Sequence, residues 1–214
     1  MAKDLLTYTT TQEYLTSLVP PREQEMLEME AYAEKNNFPI IGVTCGYYIY
    51  QLARMINAKS IFELGSGYGY STAWFAKALR ENGGGVVHHT VWDEKLSQMA
   101  KQHLAKLGSD DLVKFHMSEA VEALKKTEGP FDIIFNDIDK EQYPASLPVI
   151  KSKLRSGALL IIDNMLWHGD IFNKDDVRPA TEGVREFTKQ ITNDKDWIVS
   201  LVPMRDGMIV AYKK

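Results

Sequence analysis

Short β-branched apolar runs recur along this chain, separated by longer stretches in which apolar residues return every three or four positions. The short runs read as buried strands and the longer stretches as helices packed on them. Residues 8–37 read as helical, with Pro20-Pro21-Arg22-Glu23 opening a segment rich in Glu, Met and Ala, since proline is tolerated in a first turn. An apolar helix follows over 44–57. Strands are then expected at 60–64, 86–92, 113–117, 132–136 and 158–162, alternating with helices at 71–81, 94–107, 120–126, 143–154 and 179–193. Residues 197–203 and 208–213 flank Met204-Arg205-Asp206-Gly207, a hairpin turn. Five β/α alternations predict a parallel sheet covered on both faces, with the terminal hairpin adding an antiparallel pair at one edge. No repeat, linker or low-complexity stretch divides the chain. It reads as a single α/β domain over 1–214, with a helical cap at 1–57 and the core at 58–214.

Composition narrows the function classes. Of 214 residues, 44% are hydrophobic and 25% charged, as in a globular protein with a real core. The net charge of −4 and the lack of a basic run argue against nucleic acid as a partner. The single cysteine, Cys45, excludes an intrachain disulfide and fits a reducing interior; it reads as a nucleophile or, more ordinarily, as core filler. The opening residues Met1-Ala2-Lys3-Asp4-Leu5 carry no long apolar segment, so neither a signal peptide nor a membrane span is expected, and the expected compartment is cytoplasmic.

Two of the apolar runs end in acid. Phe131-Asp132-Ile133-Ile134-Phe135-Asn136 runs into Asp137-Ile138-Asp139-Lys140, and Ala158-Leu159-Leu160-Ile161-Ile162 runs into Asp163-Asn164. The carboxyl ends of strands are where open α/β sheets bind ligands. Two such ends side by side would offer hard oxygen ligands to a divalent cation, with a lysine next to them. Taken singly, Asp137-Ile138-Asp139-Lys140 also reads as a loop of surface ion pairs, and Asp163-Asn164 as a turn. Upstream, Glu63-Leu64-Gly65-Ser66-Gly67-Tyr68-Gly69-Tyr70-Ser71 follows the first strand and opens a helix. Its G-x-G-x-G spacing fails the dinucleotide fingerprint, and no phosphate-cradling G-x-x-x-x-G-K-[ST] is present. An acid two residues before the first glycine suits a cationic, hydroxyl-rich ligand such as S-adenosylmethionine (SAM); the other reading is a tight turn without a ligand.

Taken in order, Pro20-Pro21-Arg22-Glu23, Glu63-Leu64-Gly65 with Gly69-Tyr70-Ser71, Gly129-Pro130-Phe131-Asp132, Asp137-x-Asp139-Lys140-x-x-Tyr143, Asp163-Asn164-Met165-Leu166-Trp167-His168-Gly169 and Arg205-Asp206-Gly207 resemble the class I, metal-dependent O-methyltransferases. That group includes the catechol and caffeoyl-coenzyme A O-methyltransferases, and the likeness is nearest to its bacterial and archaeal branch. The resemblance implies a Rossmann-like seven-stranded sheet with an antiparallel C-terminal pair, and SAM as cofactor. It implies Mg²⁺, or alternatively Mn²⁺ or Ca²⁺, on Asp137, Asp163 and Asn164, with Lys140 as general base beside Asp137. The cofactor would be met by Ile41, Val43, Glu63, Gly65, Ser66, Gly67, Tyr68, Ser71, Ser118, Glu119, Ala120, Asp137 and Asp139. Lys140, Trp167 and His168 would border a phenolic small-molecule substrate, although core packing for Trp167 and solvent for His168 remain alternatives. A homodimer is implied as well, with helices 12–33 and 44–57 able to supply its surface.

One departure stands out. Enzymes of this type carry an acid at the end of the second strand, where it accepts hydrogen bonds from ribose hydroxyls. Here Val91 is aligned with that position, and Asp93 comes two residues later as the candidate replacement. Trp92 reads either as a buried strand residue or as part of the adenine's surroundings. Glu119 reads as a contact to the adenine's amine or as the acid that opens the next helix. The leading expectation is a SAM-dependent methyltransferase for a vicinal dihydroxy aromatic. The Val91 departure raises a second, a SAM-fold binding or regulatory protein with weak or no turnover. A third is a metal-dependent hydrolase using Asp137 and Asp163. Lys174, Arg178 and Arg205 read as contacts to an anionic acceptor or as surface charges.

Overall fold

A computed structural model describes residues 8–214. The helices are α1 (Tyr8–Ser17), α2 (Gln24–Asn36), α3 (Gly42–Met55), α4 (Tyr70–Glu81), α5 (Glu94–Lys106), α6 (Ala120–Lys126), α7 (Tyr143–Lys153) and α8 (Pro179–Asn193). The strands are β1 (Ser60–Leu64), β2 (Val86–Thr90), β3 (Val113–His116), β4 (Phe131–Asn136), β5 (Leu154–Ile162), β6 (Trp197–Val202) and β7 (Met208–Lys213). They form one seven-stranded sheet in the order β3-β2-β1-β4-β5-β7-β6. The first five strands run parallel, and β7 lies antiparallel between β5 and β6.

The alternation along each central strand explains why both faces are covered. Ile61, Val87, Ile133, Phe135 and Ile161 share a buried cluster with α2, α3, α4 and α5. Phe62, Leu64, Ile134, Leu160 and Ile162 face the opposite way, onto α6, α7 and α8. Successive side chains of a strand point to opposite faces, so a run apolar at every position can only sit between two helical layers. Met26, Met29 and Ala33 of α2 and Cys45, Ile49 and Leu52 of α3 belong to the same cluster as Phe75 of α4. The helices of the expected cap thus share a core with the sheet; residues 1–7 of that cap lie outside the described residues. Burial pushes the Cys45 thiol up to about 12, which makes it an inert core group.

β2 ends at Thr90, two residues short of the sequence reading, and two other boundaries differ more. The stretch 8–37 is two helices, interrupted around Pro20 and Pro21, with Glu23 as the residue before α2. Proline restricts its predecessor to extended backbone, so the break falls there and not within a continuous helix. Strand β5 begins at Leu154, because Leu154 already pairs with Phe131 before a register shift. No helix among the described residues is long and apolar enough to cross a membrane.

The order of strands fixes where a ligand goes. From β1 the chain winds outwards to β2 and β3, then returns to place β4 on the other side of β1. The carboxyl ends of β1 and β4 therefore flank the crevice at a topological switch point.

Candidate active site

A cavity of about 660 Å³ opens at this crevice. Its wall takes Gly65 and Gly67 from the β1 loop, and Val91 and Trp92 after β2. Ser118, Glu119 and Ala120 come after β3, Asp137, Asp139 and Lys140 after β4, and Asp163, Asn164, Trp167 and His168 after β5. A smaller adjoining space of about 40 Å³ is lined by Ile41, Ser66, Tyr68 and Ser71, and shares Gly65, Gly67 and Asp137 with the first.

The glycine loop can approach a ligand because its backbone is bent where side chains do not fit. Gly65 has φ +84°, and a Cβ there would lie 2.6 Å from the Asp137 carbonyl oxygen. The loop is stitched to β2 through Thr90, whose hydroxyl donates to Glu63 O at 2.7 Å and accepts from Gly65 N at 3.2 Å. Ser66 N donates to Thr90 O at 2.9 Å. Glu63 sits behind the loop, fully buried and outside the cavity wall. Thr72 donates to its carboxylate, and the Thr72 hydroxyl lies 3.0 Å from His89 Nδ1. Burial pushes the Glu63 carboxyl up to about 7, against hydrogen bonds from Ser71, Thr72 and Ser66 that favour its charge. Burial pushes His89 down to about 3, so the imidazole is neutral. Tyr68 lines the smaller space while its hydroxyl donates to Met29 O at 2.9 Å.

The acids come together through strand register. Asn136 of β4 is paired with Ile162 of β5, so the next residue of each strand, Asp137 and Asp163, emerges beside the other. Neighbouring strands lie about 5 Å apart, which puts the two carboxylates within reach of one cation. Tyr143 ties both ends down from beneath, its hydroxyl donating to Asp163 O at 3.1 Å and to Asn136 O at 3.4 Å. Burial and then the charge of Asp137 push the Asp163 carboxyl upwards. Burial also raises Asp137, with the Lys140 ammonium opposing it. Lys140, only 9% exposed, donates from Nζ to Asp137 Oδ1 at 2.8 Å and to Ile138 O at 3.2 Å. The same Nζ stands 5.2 Å from the Tyr143 ring centre and 5.8 Å from that of Trp167.

Among the described residues no cluster of three or more His, Cys, Asp and Glu has the arrangement of a metal site. The candidate donors are instead two carboxylates and one amide. Asn164 Nδ2 donates to Asp206 Oδ2 at 3.1 Å, which fixes the amide so that Oδ1 is the atom left for a cation. Mutual repulsion between a buried carboxylate, Asp163, and a half-buried one, Asp137, and a hard-oxygen donor set are what a divalent cation would relieve and use.

Asp206 was not legible as a site residue. Its carboxylate also accepts from His168 N at 2.6 Å, and its backbone oxygen accepts from Leu166 N at 2.7 Å. It holds a loop in which Asn164, Trp167 and His168 all have φ between +45° and +56°, a conformation that persists only when the surroundings impose it. Replacing a group that orients a metal ligand typically costs 10–100-fold in metal affinity. Asp206→Ala is accordingly expected to raise the cation concentration for half-maximal activity by about 10–100-fold. A metal titration of the rate would check this, and an unchanged midpoint would show that the turn does not orient Asn164.

Other expected residues fall differently. Asp93 is the residue that caps α5, accepting from Leu96 N at 2.9 Å, and it is not part of the cavity wall. Val91 is buried and lines the cavity, and Val43 lies half-buried in the first turn of α3, away from both spaces. Glu119 lines the cavity and also caps α6, accepting from Val121 N and Glu122 N. Arg178 is held by Asp170 and Asp176 at 2.5 Å each. Arg205 lines the cavity and donates to Ile40 O at 2.8 Å, joining the hairpin turn to the segment before α3.

The O-methyltransferase family model matches residues 16–214 of this chain. The chain is 28% identical to a catechol O-methyltransferase of Niastella koreensis, over 97% of this chain and 98% of that protein. It is 26% identical to a caffeoyl-CoA O-methyltransferase of Medicago sativa, over 97% of this chain and 90% of that protein. An O-methyltransferase from Bacillus cereus, solved in complex with SAH, superposes with a TM-score of 0.86 at 26% identity, covering 95% of this chain and 97% of that one. The chain belongs to the O-methyltransferase family. It is an enzyme of methyl transfer to oxygen, and the crevice between β1 and β4 is its candidate active site.

Proposed function

We propose that this O-methyltransferase takes its methyl group from SAM and transfers it to one hydroxyl of a vicinal dihydroxy aromatic held on a divalent cation, Mg²⁺ in the first instance. The observation that carries this reading is a single cavity. The glycine loop, Asp137, Asp163, Asn164 and Lys140 all line it. The relatives named for catechol and caffeoyl-CoA and the SAH-bound neighbour support it.

When bound, SAM supplies a methyl group on a sulfonium, and the cation supplies the charge that draws two adjacent oxygens together and acidifies one of them. The chain's own residues do the rest. Gly65 and Gly67 let the donor come close to the backbone at the end of β1. Asp137, Asp163 and Asn164 set the position of the acceptor oxygens. Lys140 Nζ is the group on the acceptor side able, as the neutral amine, to take the hydroxyl proton, and the ammonium so formed donates to Asp137 Oδ1 and Ile138 O. Trp167 walls the acceptor side next to Lys140 and leans against the His168 ring at 5.3 Å. Orientation of the acceptor oxygen in line with the methyl group, together with control of its charge, gives most of the acceleration.

A binding protein without turnover is not favoured, because the candidate base and the cation ligands share a cavity with the glycine loop. The same cavity counts against a hydrolase. The deciding experiment is methyl transfer from SAM to a panel of catechols, with and without a chelator. Chelation is expected to abolish turnover, and restored Mg²⁺ to recover it. A rate indifferent to chelator would remove the cation from the reaction.

A further inference from the structure

The cavity has two chemically different ends. Asp137, Lys140, Asp163 and Asn164 form the β4/β5 end, and the glycine loop with the smaller space beside it lies in the middle. What remains for a nucleoside is the β2/β3 end, lined by Val91, Trp92, Leu96, Ser118, Glu119 and Ala120. Thr90 and Glu119 at this end, and Asp93 just behind it, already carry backbone hydrogen bonds, which among the described residues leaves the Ser118 hydroxyl as the free polar group of the lining. Thr90 spans Glu63 O and Gly65 N, Asp93 caps α5, and Glu119 caps α6 with both carboxylate oxygens. Trp92 is the opposite case. It is 79% exposed, lines the cavity, and belongs to no aromatic or hydrogen-bonded pair among the described residues. A large indole left in water at a cavity wall, between the apolar Val91 and Leu96, presents a face for a planar ligand.

We propose that Trp92 is the adenine platform of the cofactor site, and that stacking on it replaces the ribose-reading carboxylate that this chain lacks. The inference rests on SAM as donor. Stacking of a base on an aromatic side chain is worth roughly 5–150-fold in affinity, comparable to or larger than a lost ribose hydrogen bond. Recognition therefore moves from the sugar to the base: the adenine is held tightly and the 2′-hydroxyl hardly at all.

The test is calorimetric binding of SAH to the wild-type protein, Trp92→Phe and Trp92→Ala, with 2′-deoxy-SAH and 5′-methylthioadenosine as further ligands. Trp92→Ala is expected to bind SAH and methylthioadenosine more weakly by the same factor, about 10–100-fold, and Trp92→Phe to stay within about threefold of wild type. Unliganded melting temperatures are expected to be unchanged, since the side chain is largely solvent-exposed. For the wild type, 2′-deoxy-SAH is expected within about threefold of SAH, because no carboxylate reads the sugar. Equal SAH affinity in Trp92→Ala would overturn the platform. A loss above about tenfold with 2′-deoxy-SAH would overturn the shift from sugar to base. Failure of the wild type to bind SAH at all would overturn the SAM reading and the platform with it.

Discussion

Lys140→Met is expected to lower kcat by about 10²–10⁴-fold, the usual contribution of a positioned acid–base group, while SAH binding changes little. The side chain is buried, and its Nζ is the nitrogen that meets Asp137 at 2.8 Å within the cavity wall. Methionine preserves the length and apolar stem that pack near Tyr143 and Trp167, so a loss of rate reports the amine and not a collapsed pocket. The glycine loop is stitched through Thr90 and Glu63, without Lys140, so the donor side stays in place. With the Asp137 side chain 26% exposed, removing the lysine costs less than the roughly 3–5 kcal/mol lost when a fully buried ion pair is broken. The unliganded variant should therefore melt earlier, and Mg²⁺ should restore more stability to it than to the wild type. Single-turnover rates with SAM and a catechol, beside a melt with and without Mg²⁺, read both effects. A rate within about threefold of wild type would assign the proton to another group.

Gly183→Ala is the second large effect, and it comes from a residue with no chemistry of its own. Gly183 lies in the middle of α8, where alanine would ordinarily favour the helix by about 1 kcal/mol. Here a Cβ would stand 2.2 Å from the Lys140 carbonyl oxygen and 2.8 Å from its carbon. Those neighbours are backbone, so helix and turn must part by roughly an ångström. Overpacking of that kind costs about 1–3 kcal/mol, which outweighs the helix propensity. The displaced segment is the short 3-10 turn Lys140–Gln142, and a misplacement of about 1 Å near the chemistry can cost about 10²-fold in rate. We expect a lower melting temperature and a kcat down by about 10²-fold, with SAH affinity close to wild type. A raised melting temperature with unchanged kcat would mean that α8 and the Lys140 turn are not in rigid contact.

Both variants touch the same few residues, yet only one was visible in the chain. Lys140 was legible because it follows an apolar strand by four positions, and strand ends in an open α/β sheet are where ligands sit. Gly183 gave no signal, since an isolated glycine within a helical pattern has no unique reading. Its partner is a backbone 43 residues upstream, which nothing local can specify. Asp206 is similar: it reaches Asn164 across 42 residues, so an acid in a hairpin turn becomes the support of a metal-ligand candidate only when β7 lies against β5.

The β2 end divides the two sources of information most sharply. The family resemblance, with Val91 at the position of the expected acid, implied a ribose contact for Asp93. Its carboxylate instead takes the N-cap of α5, because the first N–H groups of a helix lack partners within the helix. Trp92 could be read as a buried strand residue or as part of the adenine's surroundings, and β2 ends at Thr90, leaving the indole outside the sheet.

By itself the sequence determined the alternation of strands and helices, the two-faced parallel sheet and the order of the glycine loop and the acids along it. These follow from local periodicity and from chain connectivity. Only the tertiary structure decided which strand ends became neighbours, which acids are caps and which line the cavity, and which glycine lets a helix close on the lysine. Those outcomes depend on strand register and on packing between residues far apart in the chain, where the hydrogen bond a side chain makes is set by what folding brings to it.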